Sequence, residues 1–84
     1  MRIRVRLFAA LAEAAGTREI ALDLPAGSAA EAVARLAEAH PVIGRYGDRL
    51  LLAVNAVYAD PTTALAEGDE LALIPPVSGG ASCF

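Results

Sequence analysis

The chain has 84 residues, is 56% hydrophobic and carries a formal net charge of −3 at pH 7, which leaves room for one domain and one small core. Two Tyr, two Phe and no Trp on a mildly acidic chain argue against a nucleic-acid binder, which needs a basic footprint or an aromatic stacking platform. One Cys and one His exclude an internal disulfide framework and a His/Cys zinc cage built within one chain. The start, MRIRVRLF, is basic and alternating with no apolar h-region behind it. No run approaches the roughly 20 apolar residues that span a membrane, so a soluble, cytoplasmic protein is expected. All seven basic residues are Arg, which leaves the N-terminus as the only primary amine.

Residues 2–7 alternate with a period of two, predicting a strand with Ile3, Val5 and Leu7 inward and Arg2, Arg4 and Arg6 on a solvated outer face. The same alternation puts Phe8 outward. Residues 9–15 are good helix formers, stopped by Gly16, and Leu11 is the residue this short helix buries. Thr17 to Leu24 alternates again and is expected to pair with the first strand, with Ile20, Leu22 and Leu24 on one face. Ser28-Ala-Ala-Glu31 is a capping-box pattern. It opens a helix over about 29–39 whose apolar side carries Val33, Leu36 and Ala37, while Glu31 and Arg35 stand in the favourable i,i+4 order. His40-Pro41 closes the helix, and residues 42–49 are expected to form a loop.

Leu50 to Val54 is a continuous apolar run, read as a strand covered on at least one side. Asn55 marks a turn, Val57 and Tyr58 a short strand, and Asp60-Pro61 a further turn. Glu67-Gly-Asp-Glu70 is a tight turn feeding a last strand, Leu71 to Ile74, with Leu71 and Leu73 inward and Ala72 and Ile74 outward. Its acidic residues are read as turn and solvent groups, and His40 as a helix-end residue. The order is strand, short helix, strand, long helix, then two or three strands. It predicts an α+β domain with a mixed four- to five-stranded sheet and one main helix packed on one face, a β-grasp or ubiquitin-like arrangement. The folded domain is expected over 1–76, with a flexible tail over 77–84.

That tail is the chemically distinctive stretch. Pro75 and Pro76 fix two φ angles and carry the chain away from the sheet. Val77 and Ser78 follow with modest side chains, and Gly79 and Gly80 with none, so the arm fits a narrow channel. Ordering it costs roughly 1–2 kcal/mol per residue, which an enclosing partner must offset.

LFAALAEAAGT, LLLAVN at 50–55 and, above all, EGDELALIPPVSGG at 67–80 resemble the MoaD and ThiS group of ubiquitin-like sulfur carriers, and in particular the small subunit of molybdopterin synthase. The resemblance covers nearly the whole chain up to Gly80. It implies a carrier whose terminal glycine carboxylate, matched by Gly80, is adenylated by an E1-like, ATP-using adenylyltransferase and converted to a thiocarboxylate. Gly79 matches the glycine before it, and Pro75, Pro76, Val77, Ser78 and Gly79 form the threading arm. The acceptor it implies is the molybdopterin synthase large subunit or another sulfur-accepting enzyme. The carrier itself has no catalytic residue, metal or bound cofactor. The partner-facing positions that match the group are Phe8, Tyr58 and Ile74, on the open sheet face.

One departure stands out: Ala81-Ser82-Cys83-Phe84 follows Gly80. The expectation is that a JAMM-type zinc metallopeptidase cuts between Gly80 and Ala81 to expose the carboxylate. Cys83 is read as part of the removable piece, since no basic residue adjoins it to lower its pKa. The leading pathway is molybdenum cofactor biosynthesis. The alternatives are a processed carrier for cysteine, thiamin or a sulfur-containing metabolite, a ubiquitin-like protein modifier, or a pure interaction module. The absence of Lys rules out Lys-linked chains of this protein on itself.

Overall fold

A computed structural model describes residues 1–25 and 27–76. The first alternating segment forms strand β1 (Arg2–Leu7), with Ile3, Val5 and Leu7 buried and the three arginines exposed. Helix α1 (Ala9–Ala15) buries Leu11 and ends at Gly16, whose left-handed φ of 79° brings its N–H onto the Ala12 carbonyl. Strand β2 (Glu19–Asp23) runs antiparallel to β1, with Leu22 opposite Ile3 and Ile20 opposite Val5.

Helix α2 (Ala29–Ala39) starts where the Ser28 N–H donates to Glu31 Oε1 at 3.1 Å. The next N–H groups, which an α-helix leaves without internal partners, are met from outside. Ala29 N–H donates to the Thr63 carbonyl and Ala30 N–H to the Pro61 carbonyl, both at 2.9 Å. The Glu31 carboxylate is thus committed to the cap. The ion pairs found among the described residues run between Arg2, Arg4 and Arg6 and Asp23, Glu19 and Glu70, so the i,i+4 spacing of Glu31 and Arg35 yields no pair. The buried stripe of α2 is Ala29, Ala32 and Leu36, with the expected Val33 and Ala37 half-buried. The small alanines turn toward the sheet because they let the helix axis come close.

Residues 42–49 correct the sequence reading. Instead of a loop they form helix α3 (Pro41–Tyr46) and a 3-10 turn (Gly47–Arg49). Pro41 ends α2 and also begins α3, because the first helical position needs no N–H donor and favours the φ that proline fixes. Ile43 is wholly buried, with Val42 and Tyr46 packed against the core. Gly44 lies where an added Cβ would sit 3.4 Å from Ala37 Cβ, so its lack of a side chain lets α3 lie close against α2. Arg49 caps the end, donating from Nε to the Tyr46 carbonyl at 3.2 Å and from Nη2 to the Arg45 carbonyl at 2.9 Å.

Strands β3 (Leu51–Val54), β4 (Val57–Ala59) and β5 (Glu70–Ile74) complete a mixed sheet of order β2-β1-β5-β3-β4. β1 and β5 are parallel and the other neighbours antiparallel. Ile3, Val5, Leu7, Leu71, Leu73 and Leu52 face the helices, and Leu11, Leu24, Leu36 and Ile43 close the same core. This is the α+β, β-grasp architecture expected from the element order.

Two local features set the register at the far end of β3. Asn55 and Ala56, which join β3 to β4, both have positive φ (53° and 70°), as a two-residue type I′ hairpin requires. Asn55 then ties this hairpin to the start of β5. Its Nδ2 donates to Asp69 Oδ1, and its Oδ1 accepts from the Glu70 N–H, both at 3.0 Å. Asp69 also accepts from the Ala66 N–H at 2.8 Å. The Asn55 amide and the Ala66 N–H hold the Asp69 carboxyl below the usual carboxylate range. Asp60 is lowered in the same way by the Thr62 hydroxyl and the backbone and side-chain donors of Thr62 and Thr63.

Ala56 occupies a left-handed position without being glycine, so Ala56→Gly is expected to stabilise the domain by about 0.5 kcal/mol, read as a rise of a few degrees in Tm. Because the folded-state pKa values of Asp60 and Asp69 are depressed, their stabilisation is present above the unfolded value of roughly 3.9 and is lost as pH falls through the folded values. Tm should therefore be flat near neutrality and drop in acid. Asp69→Ala should cost about 1 kcal/mol at pH 7 through its lost hydrogen bonds and remove part of that acid drop.

Candidate functional site

The sheet register assembles the open face, on the side away from the helices. Arg6 on β1 stands beside Ala72 on β5, Ala72 beside Ala53 on β3, and Ala53 beside Tyr58 on β4. The four lie in one row across the sheet. In the next row toward the end of β5, Ile74 pairs with Leu51, and Phe8 follows directly on Leu7, the partner of Leu73. Phe8 has extended backbone geometry, and its ring lies 5.8 Å from the Arg6 guanidinium carbon, within cation–π range.

Phe8, Tyr58 and Ile74 therefore share one face. Phe8 is 41% and Tyr58 76% exposed, while Ile74 is half-buried. Leu51, 50% exposed and paired with Ile74, belongs to the same patch and was missed from the sequence. Its signal was parity. Within the apolar run 50–54, Leu52 is buried in the core, so Leu51 must point the other way. Ala53 is buried on this outer face without joining the core cluster, which makes it the floor between taller neighbours.

The other half of the face, over β2 and β1, is polar. Arg2 meets Asp23 in a two-pronged pair, Nε to Oδ1 at 3.0 Å and Nη2 to Oδ2 at 3.2 Å. That hydrogen bond holds the Asp23 carboxyl low and the Arg2 guanidinium high. Arg4 lies 3.9 Å from Glu19, and Arg6 3.4 Å from Glu70. All three pairs are solvent-exposed, and such pairs add little to stability. They order the arginines along the border of the apolar patch.

The chain leaves the sheet beside this patch. Pro75, directly after Ile74, is buried and Pro76 is exposed, so the root of the arm is fixed in the domain. Val77, Ser78, Gly79, Gly80, Ala81 and Cys83 lie outside the described residues. A second surface feature, a groove of about 530 Å³, opens between α2 and the β3–β4 edge, lined by Ala30, Val33, Leu50 to Leu52 and Pro61 among others. Leu51 links it to the open face.

His40 sits at the junction of α2 and α3, while Glu67 accepts from the Arg2 N–H at 2.8 Å and Asp69 from Asn55. Glu67 and Asp69 thus hold turns. Among the described residues, no group of three or more His, Cys, Asp or Glu is placed to hold a metal ion, and no helix is long and apolar enough to cross a membrane.

Comparison with known proteins gives this geometry a family. The chain is 39% identical over 83 residues to the molybdopterin synthase sulfur carrier subunit of Chlamydomonas reinhardtii, covering 95% of this chain and 100% of the relative. It is also 39% identical over 84 residues to small archaeal modifier protein 1 of Haloferax volcanii, covering 89% of this chain and 97% of the relative. The crystal structure of that Haloferax protein superposes with a TM-score of 0.85 at 37% identity, over 95% of this chain and 100% of the other. The model of the ThiS family matches residues 5–80, and the chain belongs to that family.

Proposed function

We propose that this chain is a sulfur carrier whose Gly80 carboxylate, freed by removal of residues 81–84, is adenylated and converted to a thiocarboxylate that donates sulfur in molybdopterin biosynthesis. The observation that carries the reading is the place of Gly79-Gly80: five and six residues past the last strand of a β-grasp domain, at the point where the family match ends. The domain is the body over 1–76, and the arm over 77–80 is the working part.

The chemistry assigns the catalysis to partners. Water delivered by a zinc peptidase of the JAMM type splits the Gly80–Ala81 amide. A carboxylate is a poor acyl electrophile, so an E1-like enzyme first lets a Gly80 oxygen attack the α-phosphorus of ATP, releasing pyrophosphate. A sulfur nucleophile then attacks the carbonyl carbon, and AMP leaves. The thiocarboxylate is carried on a thin arm into the acceptor enzyme, the large subunit of molybdopterin synthase. ATP belongs to the activating enzyme, and the carrier is a co-substrate of a cytoplasmic pathway.

The open face is the docking surface in this reading. Phe8, Tyr58, Ile74 and Leu51 cluster beside the exit of the arm, so a partner that grips them holds the arm at its own active site. Aromatic and aliphatic anchors of this kind carry most of the free energy of an interface. A second reading, a protein modifier, is favoured by the likeness to small archaeal modifier protein 1. There, an amine of a target attacks activated Gly80.

Intact mass of the protein from its own host is expected to show loss of Ala81–Phe84 and one oxygen replaced by sulfur. Adducts on other proteins would favour the modifier, and full-length chain as the sole species while the pathway runs would sink both. Gly80→Ala, which adds a Cβ at the reacting carbonyl, should lower sulfur transfer by about a hundredfold, the scale of a small misplacement at a reacting centre. Ile74→Glu should weaken binding to the acceptor subunit by about 2 kcal/mol, roughly thirtyfold in Kd, with the fold retained by circular dichroism. An unchanged Kd would remove the open face from the interface.

A further inference from the structure

We infer that the outer edge of β4 and the groove beside it take an extended segment of the acceptor enzyme, which adds a sixth strand to the five-stranded sheet. Small aliphatic residues at alternate positions of that segment fill the groove, and a basic residue at one end meets Asp60. The inference deepens the proposed function and rests on it, since the segment belongs to the same partner that grips the open face.

β4 closes one side of the sheet, and among the described residues its backbone pairs only with β3. Such an edge offers a row of unpaired N–H and C=O groups, which proteins guard with charge, proline or a covering element. The opposite edge is guarded. β2 begins with Glu19 and ends with Asp23, each facing an arginine of β1. β4 reads Val57-Tyr58-Ala59, with no charge and no proline, and Val57 is 67% exposed.

Both sides of β4 are bare. Tyr58 points to the open face, opposite Ala53, while Val57 and Ala59 pair with Val54 and Leu52 and so point to the helix side. Yet no β4 residue joins the core cluster, so the helix layer stops at β3. The space left between α2 and this edge is the groove of about 530 Å³, with Ala30 and Val33 on one wall and Ala59 on the other. A strand laid beside β4 sends alternate side chains to the two sides. One set enters the groove, and the other stands beside Tyr58. Leu51, which lines the groove and pairs with Ile74, makes the groove continuous with the open-face patch.

Asp60 is the one charged residue among those lining the groove. Among the described residues its hydrogen bonds, from Thr62 and Thr63, all reach Oδ1, which leaves Oδ2 to a cation of the partner. A strand of three residues is too short to hold a second copy alone, because stable complexes bury roughly 1,200 Å² or more. A segment of a partner already held at the open face needs no such area. Backbone pairing at a sheet edge, with pockets for alternate side chains, is a general mode of peptide recognition.

The test titrates the protein purified from its own host into that host's molybdopterin synthase large subunit, with Kd read by calorimetry and the fold checked by circular dichroism. Val57→Lys puts a guarding charge on the helix side of the edge. Ala30→Gln lays a longer side chain over the groove from an exposed helix position. Each should raise Kd at least about tenfold, the scale of losing an interface anchor. Asp60→Asn keeps the Oδ1 acceptor and should raise Kd about threefold, the scale of one exposed ion pair. Val57 and Ala30 both lie on the helix side, so a partner confined to the open face leaves Kd unchanged in both variants. That result would overturn the inference and leave the proposed function, tested by Ile74→Glu, standing. A free protein that sediments as a dimer, and as a monomer with Val57→Lys, would assign the edge to a second copy and overturn the inference as well. No binding of the wild type at all would remove the proposed acceptor and the inference together.

Discussion

The parallel pairing of β1 with β5 is the constraint on which the rest depends. It brings the two ends of the sequence together at the middle of the sheet, with Val5 beside Leu71 and Leu7 beside Leu73, four residues that form the centre of the core. A parallel pair needs a long crossover, and here nearly the whole chain serves as one, carrying all three α-helices across a single face. Among the described residues no helix covers the opposite face, and the strand that leads into the arm becomes the third of five. Contacts this distant in sequence are slow to close, and the strand that leads into the arm is itself part of the core.

From that arrangement the division of labour follows. The helix face is closed by residues chosen for size: alanines on α2, Ile43 on α3, leucines on β3 and β5. The open face is divided lengthwise, with arginine–carboxylate pairs over β2 and β1 and an apolar patch over β5, β3 and β4. The patch borders the exit of the chain, so under the proposed function recognition of the body and presentation of the arm fall on one side of the molecule. The Asn55–Asp69–Glu70 hydrogen bonds fix the opposite end of β3 and β5, which keeps Leu51 in register with Ile74.

Much of this was legible in the residues because two signals are strong. Period-two alternation in Arg2–Leu7 and Leu71–Ile74 gave both faces of the central strands, and the capping pattern at Ser28 gave the start of α2. What escaped reading depended on neighbours distant in sequence. Residues 42–49 read as a loop, yet Gly44 is a close-approach position set by Ala37 on another helix. Leu51 was hidden in an unbroken apolar run, where only the register with Ile74 reveals its direction. Asp69 read as a solvent group because its partner, Asn55, is 14 residues away. The chemistry at Gly80 is different in kind: it rests on a terminal pattern and on family membership, and the residues that carry it lie outside the described part of the chain.

Pro75, buried at the end of a strand with a neighbour on each side, has a mechanical meaning. Tension applied to the arm runs along β5, parallel to the strand axis. The hydrogen bonds to β1 and β3 lie across that axis and are loaded together in shear, whereas an edge strand would peel away one bond at a time. Under the proposed function, an enzyme that draws the glycine tip into its interior pulls against the whole sheet. The body acts as a stop that sets how far the arm can be taken in.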